Sequence, residues 1–165
     1  MSPSENTSIY TDKSPTNYIT RLFEFDAGHR VYGHRGKCQH FHGHRYKLEV
    51  AICSPGLDDL GMVLDFGLLK DIVDKIISRY DHNMIVYDQD PIAQCEEFWK
   101  LHQKKPVIIT LNPTVENIIK VLAVEIMEGL EEDQKDSGQL ISLMYLKLNE
   151  TPNCFAEWFN PKFYD

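Results

Sequence analysis

Long hydrophobic runs are missing from this sequence. No stretch approaches the ~20 apolar residues of a membrane-spanning helix, which argues against a membrane partner. Cysteine is scarce as well. Cys38, Cys53, Cys95 and Cys154 stand far apart with no CxxC pair. That spacing predicts free thiols rather than a disulfide framework. The first residues, Met1-Ser-Pro-Ser-Glu-Asn, have neither a basic n-region nor an apolar h-region. The expectation is no signal peptide and a cytoplasmic location. Repeats, heptads and low-complexity tracts are absent too. An excess of positive charge is also lacking: the net charge of −8 argues against nucleic acid or anionic membrane as the main partner.

One absence is local. Between Ala27 and Lys47 there is no Asp or Glu, while Arg30, Arg35, Lys37, Arg45 and Lys47 fall there. Five of the seven histidines share this window. A basic island in an acidic chain predicts a small anionic substrate.

The same window holds Cys38-Gln39-His40-Phe41-His42-Gly43-His44. Histidines at i and i+2 of an extended segment point to one face. With His29 as a third imidazole they can hold a metal and leave a position open, as a catalytic zinc site requires. Three neutral imidazoles suit zinc, and also iron or nickel. Cys38 is a candidate base or nucleophile, because its thiolate is the reactive form and nearby cationic groups favour it.

The 165 residues suit one domain over 18–165 behind a flexible polar N-terminal arm over 1–17. Tyr18 to Asp26 reads as a strand, and Phe23, Phe25, Ala27 and His29 share a parity. Tyr46 to Ile52 alternates, with Tyr46, Leu48, Val50 and Ile52 on one side; His42 and His44 share that side. Asp65 caps a helix carrying Phe66, Leu69, Ile72, Val73, Ile76 and Ile77. Residues 88–105 read as a loop or a short helix, and Pro106 to Thr110 as a short strand. Asn112-Pro113-Thr114 opens a second helix, with Glu116 near its positive end. Glu131 to Gly138 reads as a charged loop. Leu140 to Asn149 reads as a strand with Leu140, Met144, Leu146 and Leu148 on one face, a parity that Glu150 continues. Phe155 to Phe159 is a last strand. The pattern predicts an α+β domain: a mostly antiparallel sheet of four to five strands with two helices on one face.

The motifs then converge. Phe25-Asp26-Ala27-Gly28-His29, Cys38 with His42-Gly43-His44, Met62-Val63-Leu64-Asp65-Phe66, Asp81-His82, Asn112-Pro113-Thr114-Val115-Glu116-Asn117 and Glu150-Thr151 follow one another in order. In that order they resemble the 6-pyruvoyl-tetrahydropterin synthase / 6-carboxy-tetrahydropterin synthase superfamily, from about Tyr18 to Trp158. The chain departs from it at Asn83-Met84-Ile85-Val86 and in a longer segment from Tyr87 to Lys105. The resemblance implies the tunnelling fold and a homo-oligomer, usually a hexamer, whose sheets form a β-barrel. Active sites would lie at subunit interfaces, with the Asp-His pair supplied by a neighbouring chain.

The resemblance also implies the chemistry. Zn2+ would sit on His29, His42 and His44. Cys38, Asp81, His82 and Glu150 would be catalytic. Glu150 would anchor the pterin, with Thr114 and Glu116 as candidates for ring contacts. Arg30, Arg35, Lys37 and Arg45 are candidates for the triphosphate. Three residues separate Cys38 from His42, the spacing of the carboxy branch. That branch acts on 7,8-dihydroneopterin triphosphate, releases acetaldehyde and triphosphate, forms 6-carboxy-5,6,7,8-tetrahydropterin and feeds queuosine (7-deazaguanine) synthesis. The alternatives are the pyruvoyl branch, which eliminates triphosphate, and a non-catalytic zinc-binding module.

Overall fold

The computed structural model describes residues 17–137 and 139–163. The N-terminal arm expected over 1–17 lies outside them, save for Asn17, which begins the first strand. In chain order the strands are β1 (Asn17–His29), β2 (His42–Ser54), β3 (Asn83–Tyr87), β4 (Val107–Ile109), β5 (Ser142–Thr151) and β6 (Cys154–Phe159). The helices are α1 (Phe66–Ile77), α2 (Glu96–His102) and α3 (Val115–Ser137).

The six strands form one mixed sheet in the order β4-β3-β1-β2-β5-β6. β1–β2, β2–β5 and β5–β6 are antiparallel, whereas β3 runs parallel to both β1 and β4. This corrects the expected four to five strands and two helices. β3 was hidden because Met-Ile-Val-Tyr is a short apolar run without alternation, and it is buried rather than half-exposed. α2 occupies the segment that read as a loop or short helix. α3 continues to Ser137, through residues that read as a charged loop. Glu, Lys and Gln are good helix formers, so polarity alone does not end a helix.

The alternation along β1 and β2 builds the core. Phe23, Phe25, Tyr46, Leu48, Val50 and Ile52 are buried and meet Leu69 and Val73 of α1 and Ile118, Leu122 and Ile126 of α3. Burying each such side chain favours folding by about 1.5–3 kcal/mol. Asp65 caps α1, its Oδ1 accepting from the Gly67 amide at 2.7 Å. On the outward face Glu24 stands opposite Lys47 and Asp26 opposite Arg45, and both pairs are bridged.

β5 departs from the expected face. Leu143 is buried and Leu140 is 69 % exposed. The register explains it: Ala51 pairs with Tyr145 and Ile52 with Leu143, so Met144 is the extra residue of a bulge. A bulge inverts the parity of what precedes it and leaves Leu146 and Leu148 unaffected.

Candidate functional site

Register brings the three histidines together. In the β1–β2 ladder His29 lies opposite His42, Gly28 opposite Gly43 and Ala27 opposite His44. The three rings therefore share the inward face at the end of the pair. Their centroids are 4.5 Å (His29–His42), 5.2 Å (His29–His44) and 4.9 Å (His42–His44) apart. One nitrogen from each lies within 4.8 Å of the others. Gly28 has a steric reason: a Cβ there would collide with the Met84 sulfur of β3.

Hydrogen bonds orient two of the rings. His29 Nδ1 lies 2.6 Å from the Pro113 carbonyl, and His42 Nδ1 lies 2.8 Å from the His40 carbonyl. Only a protonated nitrogen can donate to a carbonyl, so in the neutral ring each Nε2 keeps its lone pair. His29 Nε2 and His44 Nε2 are buried and have no hydrogen-bond partner. Two orphaned buried nitrogens in one cluster fit a cation, and the carbonyls behind His29 and His42 are the usual support of a metal-bound histidine. Burial holds His29 down at about 4, despite the opposing Pro113 bond; His42 and His44 push it the same way as burial. Burial also lowers His44, against the pull of Glu150. Neutral imidazoles are the form that binds metal.

Glu150 closes the group. Its Oε1 is 3.4 Å from His29 Nε2 and 3.8 Å from His44 Nε2, with no hydrogen bond to either. Beneath the rings lies Tyr46, centroid 5.7 Å from His44, with its buried hydroxyl unpartnered. Burial, and then the Glu150 carboxylate, push that phenol far above its ordinary range.

Five of the expected site residues line one cleft of about 420 Å³: His29, Cys38, Thr114, Glu116 and Glu150 all contribute to it. Cys38 is exposed, on a short 3-10 turn over Lys37–Gln39. The loop carrying it is closed by Val31 N–H donating to the Cys38 carbonyl at 2.7 Å. Thr114 and Glu116 come from the start of α3, where the Thr114 carbonyl accepts from Asn117 and Ile118. Asn112 fastens that turn to the Cys38 loop through two bonds to the Tyr32 backbone, at 2.8 and 2.7 Å.

Asp81 and His82 are not in this cleft. His82 Nδ1 is 2.9 Å from Asp81 Oδ2, and His82 lines a different pocket, beside Asp26, Gly28, Gly43, Arg45 and His44 of the triad. The Asp26 amide donates to Asp81 Oδ1 at 2.8 Å, and this bond, then His82, holds the Asp81 carboxyl below its ordinary range. His82 adopts a left-handed backbone, φ 52°, uncommon for a side chain other than glycine. The basic island is also thinned. Arg30 is engaged by Asp90 and Arg45 by Asp26. Among the described residues, Arg35 and Lys37 have no ion pair.

Sequence reading missed the Pro113 and His40 carbonyls, since backbone groups leave no residue-type signal. It also missed the Tyr46 hydroxyl, a tyrosine in a core position of a strand.

Known proteins resemble this chain in sequence and fold. The family described as 6-pyruvoyl tetrahydropterin synthase matches residues 18–161. The 6-carboxy-5,6,7,8-tetrahydropterin synthase of Rickettsia felis is 46% identical over 139 residues, covering 84% of this chain and 96% of that protein. The protein of the same name from Haemophilus influenzae is 34% identical over 146 residues, covering 85% and 96%. The solved structure of Caenorhabditis elegans 6-pyruvoyl tetrahydropterin synthase superposes with a TM-score of 0.58 at 22% identity, over 87% of this chain and 95% of that one.

Proposed function

The chain belongs to the 6-pyruvoyl tetrahydropterin synthase family, a family of lyases, and on that premise we propose that it converts 7,8-dihydroneopterin triphosphate to 6-carboxy-5,6,7,8-tetrahydropterin, with release of acetaldehyde and triphosphate. The carrying observation is the triad of imidazole nitrogens within 4.8 Å of one another, joined through His29 to a cleft that Cys38 and Glu150 also line. The short gap from Cys38 to His42 and the names of the curated relatives support the carboxy product over the pyruvoyl one.

His29, His42 and His44 would hold zinc, their three nitrogens leaving a position for substrate. The ion supplies a Lewis acid for the side-chain oxygens of the pterin. Cys38, as thiolate, takes a proton from the side chain carbon. Glu150 accepts two hydrogen bonds from the guanidine-like edge of the ring. Thr114 and Glu116 contact the ring from the start of α3. Arg35 and Lys37, on the Cys38 loop, face the triphosphate. Asp81 orients His82, which returns a proton. Because that pair lies outside the cleft of its own chain, a homo-oligomer in which a neighbour's His82 completes each site accounts for its placement. Residues 18–165 act as one domain of a cytoplasmic enzyme, and the product serves queuosine synthesis.

Mass spectrometry of the products from zinc-loaded protein and 7,8-dihydroneopterin triphosphate tests the proposal. Carboxy-tetrahydropterin with acetaldehyde is expected. Pyruvoyl-tetrahydropterin would overturn the branch and keep the residue roles. Unchanged substrate with bound zinc would overturn the enzyme reading in favour of a metal-binding module.

A further inference from the structure

Residues 88–105 touch the site at three points, and each point adjoins a different part of it. The first is Asp90, a buried carboxylate. Arg30, the residue after His29, donates from Nε to Asp90 Oδ2 at 2.6 Å and from Nη2 to Oδ1. Asp90 Oδ1 also accepts from the Ile92 amide at 3.0 Å, so the acceptor is itself fixed. The second is Phe98 of α2, stacked on Phe41 at 6.0 Å with the rings 11° apart. Phe41 immediately precedes His42, and the Arg30 guanidinium lies over the Phe41 ring, 5.0 Å from its centroid. The third is Lys104, whose Nζ donates to the carbonyl of Asp81 at 2.9 Å and lies 3.4 Å from that of His82.

These contacts fall where the β1–β2 ladder ends. β1 ends at His29 and β2 begins at His42, so the ladder stops at the two ligand positions. Beyond a strand end the chain frays unless something ties it. Arg30 and Phe41 are the residues just beyond, one on each strand. Asp90 and Phe98 hold both, and the Arg30–Phe41 contact joins the two holds into one stack. The base of the stack is rigid. Phe98 meets Trp99 edge-on at 4.7 Å, and the buried indole donates its N–H to the Ile92 carbonyl at 2.7 Å.

We propose that residues 88–105 are a clamp for the histidine triad: Asp90 and Phe98 are positioning residues that set His29 and His42 through Arg30 and Phe41. The proposal rests on the reading of His29, His42 and His44 as metal ligands. Metal sites demand ligand placement to within about 0.2 Å, and losing an outer support typically costs about 10–100-fold in metal affinity or activity.

The test is zinc affinity, measured by competition with a chromophoric chelator on the metal-stripped full chain. Phe98→Ala is expected to weaken zinc by about tenfold, at the low end of that range because the support is indirect. Phe98→Tyr, which keeps the ring, restores it. In turnover, kcat falls and KM holds, since Phe98 does not line the cleft. Phe98 is 36 % exposed, so its truncation leaves the core intact. Arg30→Lys is a second probe: it keeps the charge, loses the two-pronged donor and is expected to weaken zinc likewise. Wild-type zinc affinity in Phe98→Ala overturns the clamp, whatever happens to thermal stability. His42→Ala separates the two readings. Its zinc is expected to be lost; retention would overturn the ligand assignment itself, and the clamp with it.

Discussion

Cys38 is the residue whose proposed role is easiest to isolate, because its side chain is exposed and carries no core packing. Cys38→Ala is expected to lower kcat by about 10²–10⁴-fold, the usual contribution of a general base. Zinc content and melting temperature should be unchanged; full turnover in the variant would remove the thiolate from the mechanism. At this scale the histidines were the legible part. Parity alone put His29, His42 and His44 on the face of Phe25 and Tyr46, and the ladder pairs them as parity requires. What parity does not contain is the reason the rings stay put. That reason is two carbonyls, one of them from Pro113, far away in sequence. The basic residues misled for a related cause. A charge count over 27–47 cannot show that Arg30 and Arg45 are already engaged by carboxylates outside the window or on its edge.

Among the elements, α1 was readable to its cap, because Asp65 and the helical spacing after it agree. β5 was readable as a strand but not in its face before Tyr145, because a bulge is a property of two strands and the sequence shows only one. The consequence is measurable. Leu143→Ala is expected to cost about 2–5 kcal/mol of stability, as for a buried leucine elsewhere. Leu140→Ala should fall within about 0.5 kcal/mol of wild type. Urea unfolding midpoints decide between this register and the unbulged one, for which the two costs would be reversed. The Asp90–Arg30 pair gives a pH signature to the segment between β3 and β4. Burial pushes the Asp90 carboxyl up, but the Arg30 bonds and the Ile92 amide outweigh it and the net shift is downward. A carboxyl depressed in the fold stabilises fully above its ordinary range and loses that contribution as pH falls through its lowered value. Asp90→Asn is therefore expected to cost on the order of 2–3 kcal/mol at pH 7, less than a fully buried pair because Arg30 keeps 27 % of its side chain exposed. The gap from wild type should narrow as pH falls below about 4, where the unfolded chain takes up its proton, and close only once the pH has passed the depressed value of the folded carboxyl. A gap that stayed constant between pH 7 and pH 3 would show that the charge on Asp90 contributes nothing.

For the whole molecule, the separation of His82 from the Cys38 cleft carries the strongest expectation. If each site is completed by a neighbour, inactive Cys38→Ala and inactive His82→Ala chains should regain activity when unfolded together and refolded as mixed oligomers. Mixed assemblies contain some sites with an intact Cys38 from one chain and an intact His82 from the other. No recovery in assemblies shown to be mixed would place both residues in one chain's site. The general architecture was legible here: alternating strands, two amphipathic helices and a final hairpin leave few arrangements other than a sheet covered on one side. β4 was expected over Pro106 to Thr110 and is found at Val107–Ile109, but β3 was not, since a short buried strand lacks a period of its own.

The ladder that joins β1 to β2 has one more implication. The three histidines that could hold a metal come from both strands, and they stand at the neck of the loop 30–41, which carries Cys38, Arg35 and Lys37. An ion bridging that neck acts as a removable cross-link. It would tie the two ends of that loop and so remove conformational freedom from it, as loop closure does elsewhere. Metal occupancy would then be felt as restraint on the loop that carries the reactive thiol. The same ion that prepares the chemistry would decide how far its catalyst can wander.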